Sequence, residues 1–215
     1  MATHLLPSDL LYAYAAGHCA PAMRLLISTQ MQLCDETARR VEELEALGGA
    51  LLERVEPTAM SEGALETVLA RLDASPAETS GSTAANDDDV EAFPAPLREA
   101  AREALKTASW RFAGPGIRTL TLPVDGHAKA ELLRIQPGSG APRHGHKGAE
   151  ITLVVRGAFR DETGVYGAGD VSVASPDVEH RPIAEPGETC YALAVTDAPL
   201  AFTGALGWIQ RAVQA

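Results

Sequence analysis

Between Arg143 and Glu150 the chain reads RHGHKGAE, and its side chains are of the types that hold a divalent metal. His144 and His146 stand two residues apart, so on a β-strand both rings project from one face. Glu150 has the same parity and joins them, provided that Gly145 and Gly148 leave the register intact. A third histidine, His180, follows thirty residues after Glu150 at one end of another strand-like run and completes a set of four from across a barrel. Neutral imidazoles with one carboxylate suit zinc, and also iron, manganese or nickel, since affinity order does not choose among them in a cell. Gly138 and Gly157 bracket the cluster, where the backbone can turn with no side chain to clash.

Little else in the chain suggests chemistry. Cys190, after His180, is either a redox-responsive thiol near the metal or an inert strand cysteine packed as a small hydrophobe. Arg143 and Lys147 either guide an anion toward the cluster or are solvated loop charges, and His127 reads as an ordinary strand or turn residue. No phosphate loop, nucleophile–base arrangement or basic nucleic-acid patch stands out, so no residue is assigned as catalytic and no direct nucleic-acid binding is expected. Cys19, Cys34 and Cys190 are odd in number and far apart, which fits a reducing compartment better than a disulfide framework. No apolar run approaches the roughly 18–20 residues of a membrane span, and MATHLLPSDLLYAY lacks the marks of a secretory signal. A cytoplasmic protein with no membrane partner is expected.

The elements that must position the cluster come in two kinds. Residues 1–75 read as short amphipathic helices. Ser8 is a candidate cap for DLLYAYAA, Gly17 a left-handed stop, Pro21 the first turn of a second helix, and Asp35 the cap of a third. In the third helix Val41, Leu44, Leu47, Leu51 and Val55 share a stripe, with Gly48-Gly49 expected to weaken or bend it. EGALETVLARL, after Ser61, gives a fourth. Residues 76–96, with three consecutive aspartates and many small polar residues, read as a flexible acidic linker. In residues 97–215 a helical LREAAREAL precedes a change of period. IRTLTLPV, AKAELLRI, ITLVV, DVSVAS and CYALAVT alternate with Gly and Pro, as in a β-sandwich or barrel, and GWIQRAV closes the chain as a short helix or strand.

The charge follows the same division. Of the 215 residues, 1–75 carry eleven acids against five bases, 76–96 five acids and no base, and 97–215 thirteen of each. An acidic helical half repels nucleic acid and favours a basic partner, unless it is only a well-solvated surface.

The run from Gly138 to Gly157 resembles the first cupin motif at each fixed position. GAGDVSVASPDVEH resembles the second through Gly169 and His180, with Ser175 in place of a proline, Asp177 in place of the turn glycine, and Ala184 in place of an asparagine. The resemblance implies a small cupin barrel (a double-stranded β-helix) with His144, His146, Glu150 and His180 as ligands. Asp177 is expected to keep the turn by tolerating a left-handed conformation.

Over nearly the whole length, LLYAYAAG, LCDETAR, GGALLE, SEGALETVLARLD, GAFRDET, GAGD and TDAPLAF resemble the ChrR family of anti-sigma factors. The resemblance implies an α+β multidomain protein: an N-terminal helical anti-sigma domain that sequesters an extracytoplasmic-function sigma factor, and a zinc-containing cupin that triggers release on singlet oxygen or organic hydroperoxide. In that family the helical domain also binds zinc through an early histidine and a His-x3-Cys-x2-Cys run. Here only His4 and Cys34 match, with Gln30 and Thr37 at the other two positions. Gln and Thr are poor zinc ligands, and His18 and Cys19 do not supply a spacing that replaces them, so this second zinc is expected to be weak or absent. The helices must then hold by packing, for instance through Leu26, Leu33, Leu44, Leu51 and Leu69. Two other readings stay open at this level: a metal-dependent, dioxygenase-like cupin enzyme with an appended helical domain, and a storage or scaffold cupin. Self-association through the cupin is a further possibility.

Overall fold

The computed structural model describes residues 2–74, 88–196 and 200–202. The first three helices are α1 (Ser8–Ala15), α2 (Pro21–Met31) and α3 (Asp35–Leu52). Gly17 ends α1 with a left-handed φ of 74°. Neither Ser8 nor Asp35 is a cap. Both are the first helical residue, preceded by Pro7 and Cys34, which make no side-chain capping bond. α3 runs unbroken through Gly48-Gly49. α4 (Ala64–Ala74) follows, then α5 (Asp88–Glu91) and α6 (Ala95–Thr107). Among the described residues no helix is long and apolar enough to cross a membrane.

Among the described residues eleven strands follow: β1 (Arg111–Gly114), β2 (Ile117–Thr121), β3 (Lys129–Ile135), β4 (His144–His146), β5 (Glu150–Arg156), β6 (Ala158–Arg160), β7 (Val165–Gly167), β8 (Val171–Ala174), β9 (Ile183–Ala184), β10 (Cys190–Thr196) and β11 (Leu200–Phe202). They form a six-stranded sheet in the order β1-β2-β3-β10-β5-β8, a three-stranded sheet β7-β6-β9 and a pair β11-β4. The expected closing element, GWIQRAV, lies outside the described residues.

The central strands are buried on both faces, which explains why ITLVV and CYALAV are nearly continuous apolar runs. One face of the large sheet turns Leu132, Ile151, Leu153, Val155, Tyr191 and Leu193 toward the helices, where they join one core with Leu11, Leu26, Ile27, Val41, Leu97 and Ala101. The other face looks into the barrel, where Ile117, Ile135, Val154, Phe159, Tyr166 and Cys190 form a second cluster. α2 packs on α3 and α6 and against β10 and β5. The helices and the barrel therefore share a core.

Two expectations change. Residues 88–96 are not open linker: Val90 and Phe93 are buried, and Asp89 is tied to the barrel through Arg156, 2.5 Å away, and through the Tyr191 hydroxyl. Leu51 and Leu69, expected in the helical core, are 57% and 50% exposed, whereas Leu26 is fully buried and Leu33 and Leu44 are partly buried. The stripe of α3 submerges only at Val41 and Leu44; from Leu47 onward the described helical surface has nothing over it.

Candidate metal centre

Three separate pieces of backbone bring the candidate ligands together. His144 and His146 project from β4, and His144 exchanges both backbone hydrogen bonds with His180, at 3.0 and 3.1 Å, so the second motif is stitched directly to the first. Glu150 does not arrive by strand parity. The chain leaves β4 at His146, crosses residues 147–149 and begins β5 in the large sheet, where Glu150 pairs with Thr196 and Ala174. Gly157, just beyond β5, has φ 73°, and a Cβ there would meet the Thr189 carbonyl at 2.8 Å; only glycine fits. Asp177 does not adopt the left-handed conformation, since among the described residues no non-glycine residue has positive φ. The turn closes instead with Val178 N–H donating to the Ser175 carbonyl at 3.0 Å.

One donor atom from each of His144, His146, Glu150 and His180 lies within 4.8 Å of the others. Two ligands on one zinc, each about 2.0–2.2 Å from it, are at most about 4.4 Å apart, so the four donors stand close to coordination spacing. Second partners orient two of the rings. His144 Nδ1 donates to the Pro142 carbonyl at 2.8 Å, and His180 Nδ1 donates to the Asp161 carboxylate at 3.0 Å, so in each ring Nε2 is the nitrogen that carries the lone pair. The Nε2 atoms of His146 and His180 face each other at 3.1 Å, and His146 Nδ1 is buried with no hydrogen-bond partner.

Burial sets the electrostatics. It lowers the pKa of His144, and pushes that of His146 down to about 4 with help from the neighbouring rings of His144 and His180, so both are neutral and ligand-ready near pH 7. Burial also raises Glu150 above the usual carboxylate range. A bound dication would favour its ionised form. A cavity of about 380 Å³ opens beside the cluster, with His144, Glu150 and His180 on its wall and Ile117, Leu133 and Phe159 among its apolar lining. Such a cavity admits a small, largely apolar molecule to the ligands. The residues fit a metal; the donor set does not choose which one.

The other candidates fall elsewhere. Cys190 is fully buried on β10 and its thiol is pushed up to about 12 by burial, so it is a packed, protonated side chain at neutral pH. Arg143 pairs with Glu162 and Glu179 at 2.9 and 3.4 Å, and Lys147 and His127 are exposed. At the amino-terminal positions, Gln30 is fully buried and donates Nε2–H to the Gly169 carbonyl at 3.0 Å. The Gln30 Oε1 and Thr37 Oγ1 atoms are buried without partners. His4 packs its ring against Tyr166 at 4.6 Å, while Cys34 is buried before α3. His18 is exposed, and Cys19 is buried with its thiol 3.6 Å from the Leu10 carbonyl. Among the described residues, the group of His144, His146, Glu150 and His180 is the one constellation of three or more metal-competent side chains.

Sequence reading missed Asp161 and Asp170. Asp161 holds His180, and Asp170 accepts from the N–H groups of Thr3 and His4. Both lie in phrases that carry the family resemblance, GAFRDET and GAGD, but no spacing rule points to either.

Comparison with known proteins agrees with this architecture. Residues 99–199 match the family model of the ChrR cupin-like domain. The anti-sigma-E factor ChrR of Cereibacter sphaeroides is 45% identical over 203 residues, covering 94% of this chain and 93% of that protein. A chain in the crystal structure of Rhodobacter sphaeroides SigE in complex with the anti-sigma ChrR is similar with a TM-score of 0.76 and 42% identity, covering 92% of this chain and all of that one.

Proposed function

Because the chain belongs to the ChrR family of anti-sigma factors, we propose that it sequesters an extracytoplasmic-function sigma factor through the exposed apolar surface of α3 and α4, and that the cupin holds a zinc ion whose surroundings report an oxidant. It is a regulator and not an enzyme. The observation that carries the binding surface is the exposure of Leu47, Leu51 and Leu52 on α3, Val55 just beyond it, and Leu65, Val68, Leu69 and Leu72 on α4. Large apolar side chains exposed in number along α3 and α4 suit a protein-interaction site. An isolated helix of eleven residues is also marginal in water, so α4 is best stabilised by a partner. The acidic residues among these leucines suit a partner whose basic surfaces are made for promoter DNA. That role places the protein in the cytoplasm with the transcription machinery.

The cupin contributes the sensing half of the reading. His144, His146, Glu150 and His180 would bind zinc, and the apolar cavity at their side gives an organic hydroperoxide or dissolved singlet oxygen access to them. Zinc would supply Lewis acidity there; the protein's own groups orient the rings of His144 and His180 and keep His144 and His146 neutral. Co-expression of the full chain with a sigma factor from its own genome tests the reading. A stoichiometric complex that dissociates on treatment with hydroperoxide supports it. Failure to bind any such sigma factor overturns it.

A further inference from the structure

The segment from Asp161 to Val171, which includes β7, touches the candidate metal centre at one end and the amino-terminal arm at the other. The Asp161 side chain is 1% exposed, and its Oδ2 accepts from His180 Nδ1 at 3.0 Å. Its Oδ1 accepts from the Thr163 hydroxyl at 2.5 Å and from the N–H groups of Thr163 and Gly164 at 2.8 and 3.2 Å. The Thr163 hydroxyl in turn accepts from the Tyr166 hydroxyl at 2.8 Å. The Tyr166 ring stacks on Phe159, which lines the cavity, at 5.0 Å, and meets the ring of His4 at 4.6 Å. Beyond β7, Asp170 Oδ1 accepts from the N–H groups of Thr3 and His4 at 2.5 and 2.7 Å, and Oδ2 from Gly167 N–H at 2.8 Å. Val171 N–H donates to the His4 carbonyl at 2.9 Å, and Gln30 reaches the Gly169 carbonyl from α2. Gly169 itself has φ 89°, and a Cβ there would stand 3.1 Å from the Leu33 carbonyl, so the turn lies directly against the end of α2.

We infer that Asp161 is the positioning residue of His180, and that the Thr163–Tyr166 pair and Asp170 couple the placement of that ring to the amino-terminal arm and α2. This rests on reading His144, His146, Glu150 and His180 as a metal centre. The route is short, hydrogen-bonded from His180 to Tyr166 and completed by the packing of Tyr166 on His4, and its members are held at both ends. If His180 shifted on closing with its three companions around a metal, Asp161 would follow through its hydrogen bond, and the Thr163 bonds would pass the shift to the tyrosine against which His4 packs. The arm is fixed to the same segment by the Asp170 carboxylate, so it cannot stay in place while the segment moves.

Hydrogen exchange on the full chain, stripped of metal and then titrated with Zn2+, tests the coupling. In the wild type, zinc should slow exchange across 144–150 and also at Thr3, His4 and Val171, the latter by about tenfold, a usual size for linked sites. Thr163→Val keeps the side-chain volume and the backbone bonds to Asp161 but removes the hydroxyl. It should retain the zinc response at 144–150 and reduce it in the arm, the remainder passing through the backbone bonds of Thr163 and Gly164 to Asp161. Asp161→Ala should weaken zinc affinity about 10–100-fold in a chelator competition, and Asp161→Asn, whose carbonyl still accepts from His180, should recover part of the loss. If zinc protects 144–150 while the wild-type arm does not respond, or if the arm responds equally in Thr163→Val, the coupling is refuted. If zinc changes neither region, the metal-centre reading fails and takes this inference with it.

Discussion

Replacing Leu65 and Leu72 together with serine separates binding from folding, because both side chains lie on α4 and are 63% and 65% exposed. Fully burying a leucine is worth about 1.5–3 kcal/mol. With roughly two-thirds of that area still in water, covering each with a partner recovers about 1–2 kcal/mol. The double change should therefore weaken sigma-factor binding by about 2–4 kcal/mol, a Kd increase of roughly 30- to 700-fold at 1.4 kcal/mol per decade. The free protein should hardly notice, since exposed substitutions away from special features stay within about 0.5 kcal/mol. Titration calorimetry with the purified sigma factor reads the first quantity and thermal unfolding the second. Wild-type affinity in the double variant would refute the assignment of this face. A Tm several degrees lower would show that α4 is part of the free protein's core, contrary to its exposure.

Three further outcomes follow from the geometry. His144→Ala with His146→Ala should abolish binding of about one zinc per chain, measured by metal analysis after dialysis, because only Glu150 and His180 of the four donors remain. Asp89 is held below the usual carboxylate range by its hydrogen bonds from Arg156 and Tyr191. A depressed carboxyl stabilises the fold above its unfolded pKa, near 3.9, and that contribution is lost as pH falls through the lower folded value. Asp89→Asn should therefore lower stability at pH 7 and flatten its acid dependence below about pH 4, read by urea unfolding across pH. Cys190, buried and held protonated by that burial, should resist alkylation in the native protein, and Cys190→Ala should leave hydroperoxide-driven release intact; rapid labelling or loss of the response would restore a redox role to this thiol.

Much of the barrel was legible because its signals are local. Alternation and turn glycines marked the long strands, and the spacing of His144, His146, Glu150 and His180 marked the cluster that the fold brings together. β6, β7 and β9 escaped because strands of two or three residues fall below any periodic signal. The stretch 88–96 misled through its composition. Acidic and small residues suggested open chain, yet two apolar side chains, Val90 and Phe93, and one aspartate with two arginines nearby suffice to seat it on the barrel. The leucines of α3 and α4 misled for a different reason. A helical period identifies an apolar face but not what covers it, and the same stripe serves a core at Val41 and a surface at Leu51.

The amino-terminal positions show how packing can stand where a metal would. A structural zinc contributes folding energy directly, and helices that carry Gln30 and Thr37 where the family resemblance implies zinc ligands are expected to need another source. Here that source is the barrel. Leu26 and Ile27 of α2 are fully buried in a core that continues into Leu153, Tyr191 and Leu193 of the sheet. Gln30, at a position where the family resemblance implies a zinc ligand, spends its amide on the Gly169 carbonyl of the barrel. The arrangement has a cost, since Gln30 Oε1 and Thr37 Oγ1 stay buried without partners at about 1–3 kcal/mol for each such group. Several apolar side chains at about 1.5–3 kcal/mol each outweigh it. Docking on the barrel thus does two things that a zinc ion within the helices could not do together. It holds α1 and α2 in shape, and it places Thr3, His4 and Gln30 against the segment whose other end carries the partner of His180.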